Sequence, residues 1–222
     1  MITDDPGTPG DAKWENNLAI SFEHRPNEWF LGAPAIDLNY GWGDHIQLTL
    51  QTSTAVLKRS DRGAIGGIGG TEAAVKWRFV DEEQSGADVS MFPRVLFNVT
   101  QSSVRRGLAD AGTRVQLPLQ VAKKLGRLDV DFEFGPRLNT VGRGEFLYGV
   151  VVGVAVSKSS AVMAELHAES RMNFTREVMI ANLGWRRKLN EHAIWIASLG
   201  HELRSPDSPT AWIGYCGVQL VY

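Results

Sequence analysis

The sequence predicts an all-β fold, a transmembrane antiparallel up-and-down β-barrel of about 12 strands. About a dozen times, a stretch of roughly ten residues alternates apolar and polar side chains and then reaches a turn. The clearest repeat is the last, and it ends the chain on an aromatic residue. Its apolar face carries Trp212, Gly214, Cys216, Val218, Leu220 and Tyr222. Such a terminal strand is typical of bacterial outer-membrane barrels.

The chain is expected to divide into a short lead-in and one barrel domain. Residues 1–12 are rich in proline, glycine and aspartate, so we expect a flexible lead-in, with partial insertion into the barrel left open. The alternation then continues through residues 13–222, which predicts a single transmembrane β-barrel domain.

The first four strands are predicted to begin near Lys13, Glu28, Ile46 and Glu72. Their predicted outward residues are Trp14, Leu18, Ile20, Phe22, Phe30, Ile36, Leu38, Tyr40, Ile46, Leu48, Leu50, Ala73, Val75, Trp77 and Phe79. The predicted connections are a tight turn at His24–Asn27, a turn at Gly41–Asp44 and a flexible Gly-rich outer loop at Lys58–Gly70.

The next four strands are predicted around 89–99, 114–121, 129–137 and 146–157. Pro93 weakens the first of these, because proline cannot donate a hydrogen bond to a ladder. A long loop is expected at Thr100–Gly112, and Gly126–Arg127 is the pattern of a two-residue hairpin.

The last four strands are predicted around 162–171, 179–186, 193–203 and 212–222, and the facing of the third is left open. Connections after strands two, four, six, eight and ten are short or charged, and those after strands three, five, seven and eleven tend to be longer. This asymmetry predicts short periplasmic turns and longer extracellular loops, with both termini on the periplasmic side.

Three features favour a membrane barrel over a soluble one. Aromatic residues lie near strand ends, as in the aromatic girdles of membrane barrels. The predicted strands are long enough to cross a bilayer at a tilt. The polar face is densely charged with both signs, as expected for a lumen. Bulk composition, with 22% charged and 43% hydrophobic residues, fits either class.

These features predict a protein of the outer membrane of a Gram-negative bacterium, in contact with membrane lipids and monomeric. No signal peptide is visible, so we expect a mature form with an added initiator methionine. Cys216 is the one cysteine, which excludes an internal disulfide, and it falls on the predicted lipid face. The net charge of −2 argues against a nucleic-acid partner.

Five segments carry a resemblance to a known family. They are Ile2–Gly10, Lys13–Ala19, Asp37–Gly41, Gly70–Phe79 and Met91–Val95. The sequence resembles the transporter-like outer-membrane barrels labelled "MetA-pathway of phenol degradation", most densely in its first half. The resemblance implies a barrel, export and a transport role. The chain departs from that family after Val95, where Leu96–Ser102 lacks a Pro-Thr-Gly turn.

The charged residues of the predicted inner face are the candidate functional residues. They are Lys76, Arg78, Arg94, Arg114, Asp129, Asp131, Glu133, Glu165, His167 and Glu169. The basic residues lie on predicted strands four to six, and the acidic residues lie on strands seven and nine. One interpretation is a transverse field that orients polar or aromatic solutes in a passive channel. The other is a set of ion pairs that plugs the lumen of a structural barrel.

Enzyme and cofactor signatures are weak or missing. The Gly63–Gly70 stretch lacks the Gly-Lys-Ser/Thr ending of a phosphate loop, and no Gly-x-Ser-x-Gly elbow is present. The stripe Glu165, His167 and Glu169 follows from ordinary alternation on a strand, so neither a metal nor another cofactor is expected. A membrane-embedded lipid hydrolase and a soluble lipid-binding barrel remain as weaker alternatives to a non-enzymatic channel.

Overall fold

The computed structural model describes residues 1–206 and 208–222 and consists mostly of long β-strands. The first strands are β1 (Trp14–Arg25), β2 (Glu28–Trp42), β3 (Ile46–Arg59), β4 (Ile65–Val80), β5 (Asp88–Met91), β6 (Arg94–Phe97) and β7 (Arg114–Gln116). The remaining strands are β8 (Leu119–Leu125), β9 (Leu128–Asn139), β10 (Glu145–Ala155), β11 (Ser160–Arg171), β12 (Val178–Lys188), β13 (Ala193–Arg204) and β14 (Trp212–Val221). Two short helices, which the sequence did not predict, are α1 (Glu82–Ser85) and α2 (Gln101–Arg105).

The strands form one closed antiparallel barrel. Every pairing is antiparallel, and the last strand closes the ring against the first, with Glu15 opposite Val221 and His24 opposite Trp212. β5 and β6 share one position in the wall, as do β7 and β8, so the barrel has twelve wall strands. The predicted fold class is confirmed, because apolar–polar alternation matches the two-residue period of a strand.

Prolines interrupt two wall strands that the sequence predicted as continuous. β5 ends before Phe92–Pro93, and β8 begins after Leu117–Pro118. Proline has no N–H to donate, so the regular ladder stops at both places. Backbone bonds across the gap still tie the wall together, since Phe92 N donates to Pro118 O at 3.0 Å.

The barrel is apolar outside and polar inside. Trp77 and Leu183 on the outer face are 55% and 68% exposed, whereas Lys76 and Glu133 on the inner face are 2% and 1% exposed. Aromatic residues pair on the outer face near the strand ends, for example Trp14 with Tyr40, whose ring centroids are 4.9 Å apart. This inversion of the usual burial pattern is what a lipid-facing wall requires.

The two ends of the barrel differ in the length of their connections. The end that holds the chain termini has connections of at most seven residues, and the shortest is Gly126–Arg127. The opposite end carries the long connection 98–113, which includes α2. The predicted periplasmic turns and extracellular loops are therefore observed. Within residues 1–206 and 208–222, no helix is both long and apolar enough to cross a membrane.

The Gly-rich stretch is not a loop, contrary to the prediction. β3 continues to Arg59 and β4 starts at Ile65, so only residues 60–64 connect them. Gly67 pairs with Ala55, and a Cβ on Gly67 would lie 2.5 Å from the Arg106 guanidinium and 2.9 Å from Leu108. Gly67 thus lets the outer loop pack against the inside of the wall.

The facing of Phe30 also differs from the prediction. A register shift between Gly32 and Ala35 interrupts the alternation of β2. Because a one-residue shift exchanges the two faces of a strand, Phe30 turns inward. It packs against the buried cluster formed by Ala55, Leu57 and Leu108.

Candidate functional site in the barrel lumen

The N-terminal segment, residues 1–12, enters the barrel from the end that holds the termini, and its first residues are held in the lumen by charged side chains of the wall. Glu165 on β11 accepts hydrogen bonds from Ile2 N at 2.9 Å and from Thr3 N at 2.5 Å. The Thr3 hydroxyl lies 3.2 Å from His167 Nδ1. Both wall residues are at least 96% buried, so these contacts are formed away from bulk water.

Asp4 also attaches the N-terminal segment to the barrel wall. Its carboxylate lies 3.4 Å from Lys76 Nζ and 3.5 Å from Arg94 Nη2. Its backbone N–H donates to Glu133 at 3.2 Å. Burial by itself raises the pKa of Asp4, but the attraction of Lys76 and Arg94 outweighs it and lowers the pKa below its ordinary value. Asp4 is therefore ionised at neutral pH.

Glu133 connects Asp4 with the interrupted part of the wall. It accepts from Arg94 at 2.8 Å and from Gln120 at 3.2 Å. Phe92 lies beneath both cations, with Lys76 Nζ 4.7 Å and the Arg94 guanidinium 4.2 Å from its ring centre. A cation over an aromatic face is attracted electrostatically, so the ring helps to fix both side chains.

A second cluster surrounds Arg137 on β9. Its guanidinium binds Glu169 through two contacts of 2.5 and 2.6 Å and lies 3.4 Å from Glu145. His167 Nε2 lies 3.6 Å from Glu169 on the other side. A bidentate arginine–carboxylate pair has the geometry of a strong, well-oriented interaction.

Three of the predicted lumen residues lie away from these clusters. Arg78 faces the periplasmic end, where it lies 3.0 Å from Asp81. Arg114 pairs with Asp110 of the outer loop. Asp129 is more than half exposed beside the β8–β9 turn, 3.8 Å from Lys124. The structure therefore brings together Lys76, Arg94, Glu133, Glu165, His167 and Glu169, but not these three.

A chamber of about 820 Å³ lies beside the N-terminal segment. Asp131, the tenth predicted residue, lines it from β9. Its other carboxylates come from the wall strands and from the segment itself, and they are Asp4, Asp5, Glu15, Glu23, Asp37, Glu72 and Glu202. Its cations are Lys76, Arg94 and Arg186, so the lining is predominantly acidic.

The outer loop narrows the extracellular mouth. Leu108 is fully buried against Ala55 and Leu57 on the inner side of β3. The neighbouring Arg106 donates to Gly66 O at 2.9 Å. An apolar anchor and a backbone hydrogen bond thus hold the loop inside the mouth instead of above it.

Sequence reasoning missed several residues of the lumen. Alternation along the strand around 129–137 places Arg137 on the inner face, although it was not among the candidate functional residues, and extending the alternation past Met91 would have found Phe92. Asp4 has no periodic context, and its role depends on the path of the N-terminal segment. Two glycines of the wall mark the path of the segment, because a side chain at either position would collide with it. A Cβ on Gly149 would lie 1.9 Å from Thr3 Oγ1, and one on Gly41 would lie 1.8 Å from Gly10 O.

The fold is similar to those of solved outer-membrane channels. The COG4313 outer membrane channel from Pseudomonas putida F1 aligns with a TM-score of 0.71 and 11% identity, over 96% of each chain. The NanC porin aligns with a TM-score of 0.67 and 9% identity, over 92% of this chain and 98% of that chain. The KdgM porin, solved in complex with disordered oligogalacturonate, gives 0.59 and 11%, over 92% and 98%.

No protein-family model matches the sequence, and no curated protein matches it. At these low identities the structural likeness shows the fold alone, a closed antiparallel β-barrel. This fold and the apolar outer face together locate the protein in the bacterial outer membrane.

Proposed function

We propose that the protein is a passive outer-membrane channel for small polar or aromatic solutes. The observation that carries the proposal is the chamber of about 820 Å³ that lies between the barrel wall and the N-terminal segment. Its volume lies within the ~300–1,000 Å³ of sites that hold small organic molecules. Acidic, amide and hydroxyl side chains line it, which suits solutes that exchange hydrogen bonds with water for hydrogen bonds with the wall.

A plugged structural barrel is the second candidate, and one observation favours it. The N-terminal segment crosses the lumen and is bound by Glu165, Lys76 and Arg94. If this attachment is permanent, the inner charges stabilise the barrel and no solute passes. The channel proposal instead requires a path beside the segment or its release.

Planar-bilayer conductance of the refolded protein, with a salt gradient across the membrane, separates the two candidates. A channel gives discrete current steps with a non-zero reversal potential. A correctly folded barrel that stays silent, with folding confirmed by its heat-modifiable mobility in gel electrophoresis, would contradict the channel and favour the plug.

Three narrower statements belong to the same proposal. The chain acts as a monomer, it has no enzymatic activity, and it is a relative of the phenol-degradation transporters that its sequence resembles. The absence of turnover in a lipid-ester assay is expected. Measurable hydrolysis that disappears in His167→Ala would contradict the second statement.

A further inference from the structure

The seat of Asp4 in the wall is a carboxylate-binding site whose present ligand is the chain itself. Lys76 on β4 and Arg94 at the start of β6 direct their cations at the Asp4 carboxylate, and the Phe92 ring lies beneath both cations. Glu133 on β9 accepts a hydrogen bond from the backbone N–H of the same residue at 3.2 Å. Lys76, Phe92 and Arg94 also line the chamber, so a solute in the chamber can reach the site.

Asp4 fills this site incompletely. Its carboxylate oxygens lie 3.4 Å from Lys76 Nζ and 3.5 Å from Arg94 Nη2, whereas charge-assisted N–H···O bonds measure about 2.7–2.9 Å. Arg94 Nε is buried and has no hydrogen-bond partner within the described part of the chain. Nε and Nη2 form one edge of the planar guanidinium. A carboxylate that is free of the chain can therefore approach more closely than Asp4 and bind both nitrogens of that edge.

The charges of the site call for one added negative charge. Within residues 1–206 and 208–222, the ion pairs of Lys76 and Arg94 are those with Asp4 and Glu133, so two carboxylates balance two cations. When Asp4 leaves, one largely buried positive charge loses its partner, which is costly in a site shielded from water. A solute with a single carboxylate restores the balance.

We infer that this site binds N-acylated 3-aminocarboxylates from solution in place of Asp4. In these molecules two carbon atoms separate the amide nitrogen from the carboxylate carbon, as they do in an aspartate residue. The carboxylate therefore reaches Lys76 and Arg94 while the amide N–H reaches Glu133. Because the rest of the chamber lining is predominantly acidic, a carboxylate without such a donor is repelled with less compensation.

Binding of such a solute displaces the Asp4 carboxylate and so favours release of the N-terminal segment. The solute would then open its own path beside the wall. The inference names a solute class for the proposed channel and a means of opening it, and it rests on that function for its biological meaning.

Calorimetric titration of the detergent-folded protein tests the inference. The probes are N-acetyl-3-aminopropanoate, its uncharged amide, and 5-oxohexanoate, which has a CH₂ group in place of the N–H, each corrected for its heat with empty micelles. In Asp4→Ala, whose site has no internal carboxylate, N-acetyl-3-aminopropanoate should bind about tenfold or more tightly than either of the others. The reason is that each of the others lacks a hydrogen bond to a charged group. The original sequence should bind it about tenfold more weakly than Asp4→Ala, because the tethered Asp4 competes.

Substitutions in the Asp4→Ala chain then locate the site. Arg94→Gln should weaken binding of N-acetyl-3-aminopropanoate about tenfold and leave that of the uncharged amide nearly unchanged. Arg186→Gln is the matched control, because Arg186 also lines the chamber but lies on β12 and donates to Gln219 at 2.9 Å. It should change neither affinity. Heat-modifiable mobility in gel electrophoresis confirms the folding of each variant.

Three results would overturn the inference. Equal affinities of Asp4→Ala for N-acetyl-3-aminopropanoate and its amide would show that the site does not select a carboxylate. Equal affinities of the original sequence and Asp4→Ala would show that the probe binds away from the seat of Asp4. Equal weakening by Arg94→Gln and Arg186→Gln would exclude the proposed location.

Bilayer recording separates the failure of the site from the failure of the channel. Binding in the expected order by a barrel that stays silent would support the site and refute the channel. A conducting barrel without binding would refute the site alone. In a conducting barrel that binds the probe, N-acetyl-3-aminopropanoate should lengthen the high-conductance state, and an unchanged state would refute displacement of the segment.

Discussion

Removal of the charge of Asp4 is expected to release the N-terminal segment from its seat in the lumen. Asp4→Asn keeps the size of the side chain but removes its attraction to Lys76 and Arg94, 3.4 and 3.5 Å away. The backbone bonds of Ile2 and Thr3 to Glu165 are retained, so the wall itself is not changed.

The magnitude follows from these contacts. A hydrogen bond to a charged group contributes about 1.5–3 kcal/mol. The Asp4 side chain is 35% exposed, and water screens its charge, so the lower value applies. A loss of about 1.5 kcal/mol raises the ratio of released to seated segments roughly tenfold.

Single-channel recording measures this ratio as the time spent in the high-conductance state divided by the time spent in the low-conductance state. Asp4→Asn should raise that quotient about tenfold over the original sequence. Asp5→Asn is the matched control, because Asp5 lies in the same segment and its carboxylate accepts from Gly7 N without touching a cation. If both variants change the open fraction equally, or if neither does, seating of the segment by Asp4 is refuted.

Three further outcomes are expected. Arg94→Ser should shift the reversal potential in a salt gradient toward the value for cation selectivity. Arg114→Ser, which removes a cation paired at the outer loop, should shift the reversal potential less. Equal shifts would contradict the placement of these two residues. Gly149→Val should raise conductance, because its side chain would displace Thr3 of the N-terminal segment and also press on His167 of the wall; an unchanged conductance would argue against the observed path. Arg137→Met should lower the free energy of unfolding in urea by about 2 kcal/mol, between the values for surface and buried ion pairs, since it removes a buried guanidinium and leaves two half-buried carboxylates unpaired. The exposed Arg62→Met should cost less than about 1 kcal/mol, and similar losses for both variants would contradict the role of burial.

The outward faces of the strands could be predicted from the sequence because they obey a local rule. Val75, Trp77 and Phe79 alternate with Lys76 and Arg78, and each strand repeats the period of two that strand geometry imposes. Because each strand has lipid on one side and a polar lumen on the other, the alternation of apolar and polar residues continues along the whole strand. Fold class, membrane location and the two-residue hairpin at Gly126–Arg127 all follow from it.

The interruptions of that rule were predicted less well. Phe30 turns inward because a register shift at Gly32 and Ala35 depends on how β2 pairs with both neighbours. The glycine-rich start of β4 has the composition of a loop, and only the packing of Arg106 and Leu108 explains why a glycine is needed at position 67 of the strand.

The sequence by itself determined the barrel, its orientation, and most of the side chains that face lipid, since these depend on alternation and on connection lengths along the chain. The partners of the inner charges were decided by the tertiary structure. Glu133 binds Arg94, Glu169 binds Arg137, and Asp4 bridges Lys76 and Arg94 from the N-terminal segment. Closure of the ring brings together residues that are far apart in sequence. The N-terminal segment has no apolar–polar periodicity, so its path depends on the charged wall residues that bind it.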